Sequence, residues 1–178
     1  MKQFAAFAAI YGLLSGSVII AIILSGIVLA DHVSFTGSAW FGYLVMLSAF
    51  TFIFVGIKRY RDVDRGGVIG FGRALGLGLA ITAVAGIIYV LVWEAYLAAT
   101  NYAFIDDYVD GIRRAKQAGG MTGAALARAM APLEAMRVNY ADPLFRLPMT
   151  FIEIAPVGLV VALVSAALLR NPRFMPAR

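Results

Sequence analysis

Four long apolar runs, separated by polar stretches, dominate the hydrophobic pattern of this chain. They cover approximately residues 4–30, 39–57, 74–99 and 147–169. Each run is long enough, or nearly so, to cross a hydrocarbon layer of about 30 Å as an α-helix. The pattern therefore predicts an all-α integral membrane protein with four transmembrane helices, forming a single domain over residues 1–178.

The longest polar stretch, residues 100–146, carries its apolar residues at helical spacing. A first stripe consists of Phe104, Ile105, Tyr108, Val109 and Ile112. A second stripe consists of Leu126, Ala129, Met130, Leu133 and Met136. Because Gly119 and Gly120 separate the stripes, we expect an amphipathic helical hairpin between the third and fourth spans. It would lie on the bilayer or cap the bundle with its apolar stripe towards the membrane.

Composition excludes a soluble domain and several kinds of chemistry. Of the 178 residues, 62% are hydrophobic and only 14% are charged, too few to clothe a soluble surface. The absence of Cys excludes disulfides, thiolate catalysis and cysteine-based metal sites. The single histidine, His32, follows Asp31 on a short loop, and we interpret it as a loop residue because zinc requires three or four ligands. We expect neither a metal nor a cofactor.

The charges are distributed unevenly between the two sides of the predicted spans. One side carries a net charge of +7 and the other a net charge of zero. The positive-inside rule then places both termini and residues 58–73 in the cytoplasm, and residues 31–38 and 100–146 outside. Within the cytoplasmic loop, Arg59, Arg61 and Asp62 are interpreted as charges at the membrane surface that attract anionic lipid head groups. The basic excess follows from orientation, so no nucleic-acid partner is expected.

Small residues at four-residue spacing occur in three of the four predicted helices. The first contains Gly12 and Gly16, the third begins with Gly72 and Gly76, and the fourth contains Gly158 followed by Ala162 and Ala166. Small residues allow helix backbones to approach closely in lipid, which predicts packing within the bundle and a homo-oligomer or a membrane-protein partner. The alternative is that glycine is simply more common in membrane helices.

Two acidic residues, Glu94 and Glu153, fall inside predicted spans. Both lie roughly 6–10 Å inside the outer boundary at 1.5 Å per residue, on consecutive antiparallel helices. Pro156 follows Glu153 closely and frees a backbone carbonyl there. A functional interpretation is a protonatable pair facing a wet vestibule. A structural interpretation is a pair of carboxylates satisfied by Tyr, Trp or Arg146 near the interface.

Several short motifs together resemble a known family. They are Tyr60-Arg61-Asp62, the glycines and Phe71 that follow, Phe104-Ile-Asp-Asp-Tyr108, and Pro143 through Phe151-Ile-Glu153 to Pro156-Val-Gly158. In order and spacing they resemble the bacterial membrane family called domain of unknown function 4199, over nearly the whole chain. The resemblance implies a four-span protein of the bacterial inner membrane with both ends cytoplasmic. It supplies no catalytic residue, but marks Arg61, Asp62, Glu153 and Pro156 as candidates.

Three functions remain open at this point. The first is a non-enzymatic helical membrane protein that assembles with itself or serves as an accessory subunit. The second is an oligomeric transporter or channel that uses Glu94 and Glu153 as proton or cation groups. The third, an intramembrane enzyme acting on lipid, ranks last because no nucleophile–base pair is visible. We therefore expect no enzymatic activity.

Overall fold

The computed structural model describes residues 2–28 and 39–177, and every regular element in this part of the chain is helical. The helices are α1 (Lys2–Val28), α2 (Ala39–Arg59), α3 (Phe71–Ala99), α4 (Phe104–Ala118), α5 (Gly123–Tyr140) and α6 (Pro143–Leu169). A π-helical turn, Tyr60–Asp64, extends α2. His32 and the end of the first predicted span lie outside the described residues.

Four of these helices, α1, α2, α3 and α6, are long and apolar enough to cross a membrane. The four predicted runs therefore correspond to helices, as expected of a multi-pass membrane protein. The bounds differ most at α6, which begins at Pro143 instead of residue 147. Proline suits the first position of a helix, and the Asp142 side chain accepts a hydrogen bond from the Leu144 N–H at 2.9 Å. Arg146, predicted to be the last residue of the outer polar segment, consequently belongs to α6.

The chain forms two compact units. The first contains the residues before Leu91 together with those from Phe151 onward. Its core includes fully buried side chains from all four long helices, among them Ile19, Phe50, Ile81 and Ile154. Polar groups inside it are paired: the Ser15 hydroxyl donates to the Ala49 carbonyl at 2.9 Å, which links α1 to α2. Such a bond removes the cost of a polar group in an apolar interior.

The second unit, Leu91–Thr150, contains α4 and α5. The two helices predicted in the polar stretch are therefore present. Their apolar stripes pack against each other around the buried side chains of Ile105, Val109 and Met130. The stripes were expected to face the membrane, whereas these three side chains are buried between the two helices, because an amphipathic helix can bury its stripe equally well against a second such helix. Helix α5 continues through Pro132.

Candidate functional site

An ion pair between Glu94 and Arg146 connects the two ends of the second unit in the chain. The Arg146 Nε donates to Glu94 Oε2 at 2.9 Å, and its Nη2 donates to Glu94 Oε1 at 2.5 Å. Arg146 is only 3% exposed, whereas the Glu94 side chain is 28% exposed. The remaining Arg146 nitrogen, Nη1, donates to the Tyr140 carbonyl at 2.7 Å. The guanidinium is thus bonded along both edges, the condition under which a buried charge is tolerated.

Aromatic side chains surround this ion pair. The Tyr102 ring lies 4.9 Å from the Arg146 guanidinium carbon, and the Tyr140 ring lies 5.8 Å from it, within the range of cation–π attraction. The Tyr102 hydroxyl donates to Glu94 Oε1 at 3.1 Å. The Trp93 indole N–H donates to the Tyr140 hydroxyl at 2.9 Å. The pair is therefore in contact with two tyrosine rings and with the Tyr102 hydroxyl.

The link between α3 and α4 adopts an uncommon backbone to bring Tyr102 to this position. Asn101 and Tyr102 have φ angles of 52° and 58°, in the left-handed region that residues with a side chain rarely occupy. Such a conformation persists where the surroundings hold it in place. Here the bond from Tyr102 to Glu94 and the contact with Arg146 provide that support. Glu94 is bonded in the way that the structural interpretation describes.

Glu153 has a different environment, in the first unit. It lies on the exposed face of α6, together with Ile152 and Pro156. The Tyr89 hydroxyl, on α3, donates to Glu153 Oε2 at 3.3 Å, which is long for such a bond. Glu94 and Glu153 therefore have separate partners, each within its own unit. A carboxylate on the outward face of an apolar helix is costly in lipid and needs polar company.

A second cluster of charges occupies the end of α2. Arg61 is fully buried, and its Nε donates to Asp62 Oδ1 at 2.7 Å. Lys58 donates to the other oxygen, Oδ2, at 2.6 Å. The Arg61 Nη1 and Nη2 donate to the carbonyls of Phe174 and Met175 at 2.9 and 2.5 Å. Arg61 is therefore not the surface charge that the sequence predicted, whereas Arg59 is exposed.

The π-helical turn explains how an arginine so close to the polar loop becomes buried. In a π-turn the backbone bonds span one residue more than in an α-helix, which rotates the following side chains around the helix axis. Tyr60 and Arg61, at the start of this turn, are both buried. The Tyr60 ring packs edge-on against Phe4 and Phe7 of α1, with centroids 6.0 and 5.4 Å away. Backbone carbonyl acceptors leave no side-chain pattern, so no sequence signal marks Phe174 and Met175 as partners.

The five glycines proposed for helix packing fall into two groups. A Cβ added at Gly12 would lie 2.5 Å from the Val84 Cβ, and one at Gly16 would lie 3.1 Å from Ile88. Gly158 approaches Thr82 still more closely. By contrast, Gly72 has nothing within 4 Å of an added Cβ, and Gly76 meets only the Phe4 ring at 4.0 Å. Helix α3 therefore approaches α1 closely at Gly12 and Gly16, and it approaches α6 closely at Gly158.

Helices α4 and α5 are also joined by charges at their surface. Arg137 donates to Asp106 Oδ1 at 2.5 Å, and Arg113 pairs with Glu134. The hydrogen bond from Arg137 to Asp106 raises the pKa of Arg137, which stays protonated throughout the physiological range. Within the described residues, no three His, Asp or Glu side chains meet in a way that could hold a metal ion.

The match to a family profile covers most of the chain. A profile whose family is described as a protein of unknown function, DUF4199, matches residues 10–171. The chain belongs to the DUF4199 family. The resemblance predicted from the sequence motifs is thereby confirmed, and the matched residues include both ion-pair clusters and Glu153. Comparisons with curated proteins and with solved structures give no match.

Proposed function

We propose that this DUF4199 protein is a non-enzymatic protein of the bacterial inner membrane that functions by assembling with itself. The observation that carries the proposal is the position of Glu153 on the exposed face of α6. Its neighbours on that face, Ile152, Leu159 and Val160, are apolar and also exposed. An ionisable group among such residues would face lipid in a single copy, so a second copy that covers it removes the cost.

The bonding of Glu94, the other acid inside a predicted span, supports a structural role instead of a catalytic one. Glu94 accepts two hydrogen bonds from Arg146 and one from Tyr102, which engages both carboxylate oxygens. A general acid or base needs an oxygen that can exchange a proton with a substrate. A bidentate pair with an arginine keeps the carboxylate ionised and occupied. We infer that Glu94 stabilises the fold and takes no part in a reaction.

The proposed orientation places both termini and the charged end of α2 in the cytoplasm, and α4 and α5 outside. The excess of Lys and Arg on one side supports it. Aromatic residues on the other side also support it, because Trp93, Tyr96 and Tyr102 are typical of a membrane–water interface. The stacked rings of Trp93 and Tyr96, with centroids 5.2 Å apart, mark this level of α3.

A second candidate function is proton- or cation-coupled transport by an oligomer. Glu153 favours it, because its bond from Tyr89 is long and it lies on an exposed helix face. Four spans are few for a pathway inside one copy, so this version also requires assembly. In this version Glu94 does not participate, since its oxygens are held by Arg146.

Oligomeric state in lipid nanodiscs or mild detergent tests the proposal. We expect native mass spectrometry to detect a dimer or a larger assembly of the wild-type chain. Glu153→Leu should weaken association about 5- to 30-fold, since hydrogen bonds between membrane helices contribute up to about 1–2 kcal/mol. Glu153→Gln, which retains hydrogen-bonding groups, should keep most of the wild-type association.

The matched control is Val160→Ala, which changes the same exposed face without touching a polar group. It should reduce association less than Glu153→Leu does. A wild-type chain that stays monomeric at high concentration in nanodiscs would contradict self-assembly.

A further inference from the structure

The buried guanidinium of Arg61 has one edge that is bonded to a carboxylate and another that is bonded only to neutral groups. Nε donates to Asp62, whereas Nη1 and Nη2 donate to the backbone carbonyls of Phe174 and Met175. Two parallel N–H groups of arginine match two oxygens of a phosphate or carboxylate, and such charge-assisted pairs are about twice as strong as neutral ones. The Nη edge is therefore bonded below its capacity.

Among the described residues, the charges bonded around Arg61 do not balance. Asp62 is bonded to both Arg61 and Lys58, so one carboxylate serves two cations. Arg61 is fully buried, and the side chains of Lys58 and Asp62 are only 26% and 15% exposed. A net positive charge in a poorly solvated place is stabilised by an anion. The nearby charges of Arg59, Asp64 and Arg65 are exposed and more strongly screened.

The segment that supplies the two carbonyls, residues 171–177, is largely exposed, and we refer to it as the strap. It follows the end of α6 at Leu169 and contains no regular helix. Phe174 packs edge-on against Phe54 at 6.4 Å, while most other side chains of the strap are exposed. Met175 has a φ angle of 47°, a left-handed conformation that methionine rarely adopts.

These features indicate that the strap can detach from Arg61 without unfolding the core. Local opening occurs where few apolar contacts are buried and where the backbone is held by exposed or strained interactions. When the strap leaves, Met175 is freed from its left-handed conformation, and the Arg61 edge loses its acceptors. An oxyanion at that edge would replace both carbonyls and neutralise the excess charge.

We propose that the Nη edge of Arg61 is a binding site for an oxyanion of the phosphate class, and that the strap closes this site when it is empty. The anion has two possible sources, the phosphate of an anionic lipid head group and free inorganic phosphate. Both present the paired oxygens that a guanidinium binds. The proposal does not depend on self-assembly.

Limited trypsin digestion in nanodiscs tests the proposal on the native chain. The bond after Arg173 lies within the strap and needs an opened backbone to be cleaved, whereas the bond after Arg65 lies in an exposed turn. The ratio of the two cleavage rates measures strap opening and corrects for effects of lipid charge on the protease. It is measured in phosphatidylcholine alone, with added inorganic phosphate, and with phosphatidylglycerol in the bilayer.

We expect the ratio to rise about tenfold with phosphatidylglycerol or with phosphate, compared with phosphatidylcholine alone. A rise with both additions identifies free phosphate as sufficient, and a rise with phosphatidylglycerol alone identifies the lipid head group. In Arg61→Ala the strap has lost both donors, so the ratio should be high in all three conditions. Arg114→Ala removes an exposed charge from α4, outside this cluster, and should keep the wild-type response.

Arg61→Lys serves where Arg61→Ala does not fold. It keeps the charge but lacks the two-pronged donor, so it should open the strap and reduce the response to the anion. A wild-type ratio that neither addition changes would overturn the proposal. So would a response that persists undiminished in the Arg61 variants.

Discussion

Glu94 and Arg146 are separated by 52 residues in the chain, yet the guanidinium of Arg146 donates to both carboxylate oxygens of Glu94. The pair joins the end of α3 to the first turn of α6 within the second unit. Arg146 lies on a helix, and Tyr102, whose hydroxyl donates to Glu94, has a left-handed backbone conformation. Hydropathy alone would treat both charges as unfavourable in an apolar segment, but in the folded chain they form an ion pair that connects two helices.

Replacing one member of this pair should destabilise the second unit. Glu94→Gln leaves the buried Arg146 with an uncompensated charge, and we expect a loss of about 2 kcal/mol, below the range for fully buried pairs because Glu94 is partly exposed. Unfolding in mixed micelles, followed by circular dichroism, measures the loss. The double variant Glu94→Gln, Arg146→Gln should lose less stability than the two single variants lose together.

The control for that experiment is Asp107→Asn, which removes an exposed charge from the same unit. It should change stability by less than about 0.5 kcal/mol. Equal losses in Glu94→Gln and Asp107→Asn would contradict a structural role for the pair.

Glycine positions should differ sharply in their tolerance of a methyl group. Gly12→Ala places a Cβ 2.5 Å from the Val84 Cβ, which forces α1 away from α3, and we expect a loss of about 1–3 kcal/mol. Gly72→Ala meets nothing within 4 Å and should be neutral or stabilising by up to about 1 kcal/mol. Denaturant titration of both variants gives the comparison. If Gly72→Ala were the more damaging of the two, the packing described for α1 and α3 would be incorrect.

The contact between α4 and α5 should depend more on its apolar core than on its surface charges. Val109 is fully buried, so Val109→Ala should cost about 1–3 kcal/mol. Arg137→Gln removes bonds that water and salt already weaken, so its effect should be small and should vanish at high ionic strength. Hydrogen exchange of the amides in α4 and α5 measures both effects. Faster hydrogen exchange in Arg137→Gln than in Val109→Ala at high salt would show that the surface charges matter more than the apolar core.

Hydrophobic periodicity predicted which parts of the chain are helical, because length and apolar content decide whether a segment can cross a bilayer. It predicted the stripes of α4 and α5 as well, including Ile105 and Val109. It did not identify what those stripes pack against. A stripe at helical spacing has the same period whether it meets a bilayer or a second helix.

Charge counting missed the two buried arginines for a related reason. Arg61 was interpreted as a charge at the membrane surface. Arg146 was placed in the outer polar segment as one of several possible partners of the embedded carboxylates, and neither arginine was predicted to be buried, because an arginine is normally solvated. Their burial depends on acceptors that the sequence does not display, namely the carbonyls of Phe174, Met175 and Tyr140. The carboxylates that accompany them, in Asp62 and Glu94, were visible, but only the folded chain brings Glu94 to Arg146.

The orientation inferred from the charges has a direct test, because the chain contains no native cysteine. Single cysteines replace Gln117 in α4 and Asp64 at the end of α2, both of which are exposed. A membrane-impermeant maleimide added to intact cells should modify the first and not the second, because α4 and α5 lie outside in the proposed topology. Modification only after the membrane is made permeable shows a cytoplasmic residue. The opposite labelling pattern would invert the orientation.

A variant of Glu153 can distinguish self-assembly from transport as the function of the protein. Glu153→Gln keeps the size and hydrogen-bonding groups of the side chain but cannot bind or release a proton. If the residue only supports assembly, the variant keeps the wild-type oligomer, and neither protein carries protons across liposomes under an imposed pH gradient. We expect this outcome, because the described bond from the Tyr89 hydroxyl also suits a glutamine oxygen. The measurement is the decay of the gradient, followed with a pH-sensitive dye and compared with empty liposomes. Wild-type flux above that background, lost in Glu153→Gln with the oligomer intact, would establish the transport alternative instead.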